Sequence, residues 1–169
     1  MDKNTHLFRD KFGKLDGKAL NFKPNSQTWS IAQIVEHIMK VNSTYYHVID
    51  SIRNGTYTTP LIAKIPLLPR LIGKIILNGV QPDRKRKIKT FPIWEPTESE
   101  VSADVIERFS RDQDKLKSLI HACRDLLNSG MVISSPAHRH VVYPLSTAFD
   151  IILAHEQRHF VQACLLLKE

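Results

Sequence analysis

Two of the eight histidines in this 169-residue chain, His155 and His159, lie four positions apart. On a helix that spacing stacks the two imidazoles one turn apart on one face, where both can reach a single metal ion. Glu156 between them completes a literal H-E-x-x-H. In a zinc protease the histidines of that pattern hold the metal and the glutamate acts as general base. A third histidine, His37, lies more than a hundred residues upstream. Whether the three meet depends on the elements that carry them.

His37 falls in the helix with the clearest start signal. Ser30 as N-cap and Gln33 three residues on form a capping box, and Trp29 is placed to pack on Ile34 as a hydrophobic staple. The apolar stripe then runs Ile34, His37, Val41, Thr44 or Tyr45, Val48 and Ile52, and stops near Asn54-Gly55. His37 therefore takes a core position. The last helix follows Pro144, a residue suited to a first helical turn. Its stripe is Ala148, Ile152, His155, His159, Gln162 and Leu166, so both histidines and Gln162 face the way the core residues face.

The rest of the chain supplies the frame. Leu7, Phe8, Phe12 and Leu15 predict a short amphipathic helix within 4–18, weakened at Gly17, with a loop from Asn21 to Thr28. Residues 56–97 hold six of the nine prolines and read as irregular. Within them Leu67, Leu68, Leu71, Ile72, Ile75 and Ile76 form one face of a short helix, with Arg70 and Lys74 opposite. A basic run, Arg84-Lys85-Arg86-Lys87-Ile88-Lys89, follows. Thr97 and Glu100 form a second capping box, opening a long helix through Val101, Val105, Phe109, Leu116, Leu119, Cys123 and Leu126 that closes at Asn128-Ser129-Gly130. A loop through Pro136 and His138-Arg139-His140 leads on to Pro144. No alternating strand pattern is seen. The expected fold is all-α, an antiparallel four-helix bundle with an elaborated, proline-rich connection between helices two and three.

A hydrophobic content of 42% in 169 residues suits one domain over residues 1–169 with a substantial core. The first thirty residues lack the pattern of a signal peptide, and no stretch reaches the ~18 apolar residues of a membrane span. Cys123 and Cys164 are expected to be reduced, and the cytoplasm is the expected compartment. A net charge of +7 permits an acidic partner without identifying one.

Each histidine alone reads as a core residue satisfied by a hydroxyl, carbonyl or carboxylate. Three on the inward stripes of two helices read differently, as three nitrogen ligands with a fourth position open, the arrangement of a catalytic zinc-type site. The protease reading fits less well. Only ten residues follow His159, their one carboxylate is Glu169, and no edge strand is expected to hold a peptide. Glu156 is turned about 100° from His155, toward a flank of the inward face. Cys164, nine positions after His155, falls on the opposite side of the helix from it.

The stretch Trp29-Ser30-Ile31-Ala32-Gln33-Ile34-Val35-Glu36-His37, with His155-Glu156-Gln157-Arg158-His159-Phe160-Val161-Gln162 near the C-terminus, resembles the DinB-like superfamily, the DinB/YfiT-type metalloproteins. The resemblance covers most of the chain, and the basic, proline-rich middle departs from it. It implies a helical bundle with His37, His155 and His159 as metal ligands and nickel or zinc as the ion. It also implies a metal-dependent transferase or hydrolase acting on a small molecule, in some members with a low-molecular-weight thiol, and a homodimer.

A metal held this way activates a water for hydrolysis or a thiol for S-transfer. Gln162, one turn past His159, is a candidate to orient it, and Trp29 and Tyr45 are candidates to line a pocket, with core packing as their ordinary role. The alternative is a non-catalytic metal-binding or interaction module whose cationic segment, residues 67–89, meets a lipid surface or nucleic acid. Against that, the expectation is a helix covering the bundle beside a solvated charge run.

Overall fold

The capping box that opens the longest helix forms as expected. In the computed structural model, which describes residues 1–83 and 90–167, α3 spans Ile31–Arg53. The Gln33 amide donates to Ser30 Oγ at 3.2 Å, and the Ser30 amide donates to Gln33 Oε1 at 3.1 Å. Ile34, His37, Val41 and Tyr45 are buried along the expected stripe, which then drifts to Ile49 rather than Val48.

The helix expected within 4–18 is two helices. α1 (Asp2–Phe12) ends at Gly13, and α2 (Gly17–Asn21) begins where the Asp16 carboxylate accepts from the Ala19 amide at 2.8 Å. Phe8 and Phe12 are fully buried and meet Phe109 and Phe160, so α1 is held down by aromatic contact with the long helices of the second half.

The middle of the chain holds a 3-10 turn, Leu61–Lys64, then α4 (Leu68–Gly79) and a second 3-10 turn, Pro92–Trp94. The expected helix is present, but its six apolar residues do not form one covered face. Ile76 packs on the core, whereas Leu67, Leu71 and Ile75 face solvent. The reason is at Gly73, where a Cβ would come within 2.9 Å of Thr147 Cγ2 and 3.0 Å of Tyr143 Cβ. The close approach permitted there fixes which side of α4 is buried. The basic run at 84–89 lies outside the described residues.

The second capping box does not form. α5 spans Val105–Ala122, and Thr97 lies well before it. Its amide donates to Glu36 Oε2 at 2.6 Å, its carbonyl accepts from Gln33 Nε2 at 2.7 Å, and its hydroxyl pairs with Ser99. Asn21 holds both backbone groups of Val101 in the same way. These tertiary bonds occupy the groups that a helix start needs. α5 also stops early at Cys123, and α6 (Arg124–Asn128) continues to Gly130, whose φ of +68° suits the expected helix-ending role.

The stretch expected as a loop is a hairpin. β1 (Val132–Ser135) and β2 (His138–Pro144) pair antiparallel with Ile133 opposite Tyr143 and an irregularity at Ser134/Ser135. The protein is thus mostly helical with a small two-stranded sheet. α7 (Leu145–Leu165) follows, with Pro144 as its N-cap. α1 packs on α5 and α7, α3 packs on the same two, and α4 lies on α7 and β2. Two buried clusters result, one around Phe8, Ile34 and Phe109, the other around Tyr45, Leu116, Tyr143 and Ile152. Neither Cys123 nor Cys164 is in a disulfide, and among the described residues no helix is long and apolar enough to cross a membrane.

Candidate metal centre

α3 and α7 bring His37, His155 and His159 together. His155 Nε2 lies 3.2 Å from His37 Nε2 and 3.0 Å from His159 Nε2. Three imidazole nitrogens thus converge on one point. The convergence follows from the helices: the four-residue spacing stacks two rings on α7, and the capped first turns of α3 set His37 against them.

Two of the rings are oriented from outside. His37 Nδ1 lies 2.7 Å from the carbonyl oxygen of Trp94, and His159 Nδ1 lies 2.8 Å from Gln162 Oε1. Both partners are acceptors, so both Nδ1 atoms carry the proton and both Nε2 atoms present a lone pair. The Trp94 carbonyl is held by the 3-10 turn, with the indole donating to Thr44 Oγ1 at 3.3 Å and Lys40 Nζ donating to the Glu95 carbonyl at 2.9 Å. His155 Nδ1 is buried with no partner among the described residues.

Burial is the main influence on the titration of all three rings. It lowers His37, against a raising effect of the Trp94 carbonyl. It takes His155 well below the usual range, helped by His159, His37 and Arg158. It brings His159 to about 3, against the effect of Gln162. The rings are therefore neutral at pH 7, the state in which imidazole binds a metal.

The donor set passes the test for a divalent cation. Two lone pairs fixed by outward N–H bonds face a third ring nitrogen, and at most one proton on His155 Nε2 can lie between them. A cation at that point satisfies all three nitrogens, and partners on the outer nitrogens are what metal-bound histidines usually have. The outer partner of His155 is the one missing from that pattern.

Glu156 has a different role from that in a protease. It is wholly buried between helices. Its Oε2 accepts from Asn4 Nδ2 at 3.0 Å, and its Oε1 accepts from Asn42 Nδ2 at 3.1 Å and Gln113 Nε2 at 2.6 Å. Burial raises its pKa and the three amides pull it back. Four helices, α1, α3, α5 and α7, each contribute one residue to this cluster. A carboxylate engaged this way is not available as a general base toward the histidines. Asn4, Asn42 and Gln113 had a readable signal. Asn4 is four before Phe8 and Gln113 four after Phe109, so both are polar residues on core stripes.

The other candidates separate. The Trp29 ring lies 5.0 Å from the His37 ring, beside the cluster. Tyr45 sits in the second core cluster, where its hydroxyl pairs with that of Tyr143 at 2.9 Å. Gln162 is bonded to His159.

The family model of the DinB superfamily matches residues 1–163. No curated protein and no solved structure matches the chain.

Proposed function

The chain belongs to the DinB superfamily, and from that premise we propose that it is a metal-dependent enzyme in which His37, His155 and His159 hold one nickel or zinc ion. The observation that carries the reading is the convergence of three neutral Nε2 atoms, two of them with protons fixed on the outer nitrogen. The four helices that share the Glu156 cluster are read as the antiparallel bundle of the family, with residues 56–97 as its elaborated connection. The closed ring of contacts among α1, α5, α3 and α7 supports that reading.

A divalent cation bound here supplies Lewis-acid chemistry, lowering the pKa of a coordinated water or thiol toward neutrality. The protein's own part is positional. Gln162 holds the His159 proton outward, and the Trp94 carbonyl does the same for His37. Trp29 shields the His37 ring on one side. Three protein donors would leave at least one coordination position for a small molecule.

The proposed reaction is hydrolysis or S-transfer on a small electrophile, with a low-molecular-weight thiol as the co-substrate in the second case. Cobalt-substituted protein provides the test, because a thiol entering the site produces a sulfur-to-metal charge-transfer band. The expected result is such a band, absent in His155→Ala. A loaded site whose spectrum is unmoved by thiols rejects S-transfer and leaves hydrolysis, which is measured with activated esters.

A further inference from the structure

The exposed side of α4 has no role in the metal centre, and its composition is unusual for a solvent face. Leu67, Leu71 and Ile75, spaced four apart, are 73%, 56% and 62% exposed, and Leu61 and Ile65 just before them are also exposed. Arg70 and Lys74, both exposed, lie beside this ridge, and Lys64 lies on the preceding turn. Leu67 has a φ of 64°, the left-handed region that leucine rarely enters. The Leu68 amide bonds the Pro66 carbonyl across it at 2.8 Å, so an apolar side chain is held outward at the start of the helix. The opposite side of α4 is fixed at Gly73 against Thr147 and Tyr143, which makes the ridge a rigid projection.

Charge identifies what covers it. Residues 56–90 contain eight of the 24 Lys and Arg and only one of the 17 Asp and Glu, Asp83. That stretch carries the whole net charge of +7, and the remaining sequence holds sixteen of each sign. We propose that residues 61–75 form a docking face for an anionic lipid surface, the aliphatic ridge entering the headgroup boundary while Lys64, Arg70 and Lys74 meet lipid phosphates. A second copy of the same face would set like charges against each other. Nucleic acid offers phosphates but no use for protruding aliphatic side chains, and residues 61–79 include no aromatic residue for base stacking. An anionic membrane accepts both components, leucine and isoleucine below the phosphates and cations at them.

The test is cosedimentation of the full chain with vesicles of phosphatidylglycerol and phosphatidylcholine against vesicles of phosphatidylcholine alone. Binding is expected to the anionic vesicles and to weaken with salt. The triple change Leu67→Ser, Leu71→Ser, Ile75→Ser and the double change Arg70→Glu, Lys74→Glu are each expected to lower it by about tenfold or more. All five side chains are exposed, and an unchanged thermal midpoint identifies variants that remain folded. No binding at low salt overturns the proposal, as does binding that survives the serine changes. So does tighter binding to duplex DNA than to the anionic vesicles. A wild-type dimer that Leu71→Glu converts to monomer assigns the face to a second copy instead, and overturns it too.

Discussion

One turn of α7 serves two polar clusters that solve opposite problems. Around Glu156, three amide N–H groups converge on one carboxylate, and the charge is met within the protein. Around His155, three ring nitrogens converge on one another, with protons committed outward on two of them. The first cluster is closed among protein groups; the second turns its ring nitrogens toward a point that a cation would satisfy. The remaining mismatches in the Glu156 cluster are neutral amide oxygens, Asn42 Oδ1 and Gln113 Oε1, which have no donor among the described residues. Counting donors and acceptors thus separates a polar group that ties helices together from one arranged to bind, although both lie in the same two helical turns.

The largest effect that breaks the comparison is at His155. Its replacement by alanine removes the central nitrogen, and metal affinity is expected to fall by more than the ~10–100-fold typical of losing an outer partner. Metal-free stability should change little or rise, because a buried imidazole nitrogen without a partner is removed. Glu156→Ala is expected to do the reverse. It strands three buried donors at about 1–3 kcal/mol each, so urea unfolding should show a loss of about 3–9 kcal/mol while the folded protein still binds one metal. Equal effects of the two substitutions on metal and on stability would merge the clusters into one.

The histidine cluster was legible in the sequence because its information is local. A spacing of four fixes two rings on one face, and a capping box fixes the helix that carries the third. The Glu156 cluster was less legible. The angle between positions 155 and 156 places Glu156 at a flank, but its partners come from three other helices, and only the polar interruptions at Asn4 and Gln113 of phenylalanine stripes hint at them. Tertiary bonds overrode local signals elsewhere. Thr97 has a helix-start sequence, yet Glu36 and Gln33 take its backbone groups. The hairpin at 132–144 has a first strand of only four residues, too short for alternation to declare itself. The periodicity of α4 gave the helix but not which of its apolar residues would find a partner.

Smaller effects sharpen the comparison. Gln162→Leu frees the His159 proton from its acceptor, and metal affinity measured by competition with a chelator should fall ~10–100-fold with the fold intact. Tyr45→Phe removes one of the two side-chain partners of the buried Tyr143 hydroxyl and leaves it Ser135, with an expected cost of about 1 kcal/mol and no change in metal content. A change in metal content would place Tyr45 at the pocket. Smallest is a surface control outside both clusters. Arg53 holds the Asp125 carboxylate at about 2, below its ordinary value of 3.8. A depressed carboxylate stabilises above the ordinary range and loses that contribution as pH falls through about 2. The thermal-midpoint difference between wild type and Asp125→Asn should therefore be small and close on acidification, with no change in metal binding near neutral pH.

Metal stoichiometry tests the account most directly. Protein stripped of metal, incubated with nickel or zinc, dialysed and measured by elemental analysis should retain about one ion per chain in the wild type and in Glu156→Ala, and none in His37→Ala or His155→Ala. A wild type that retains no ion, or an ion that survives the loss of His37, would contradict a three-histidine centre.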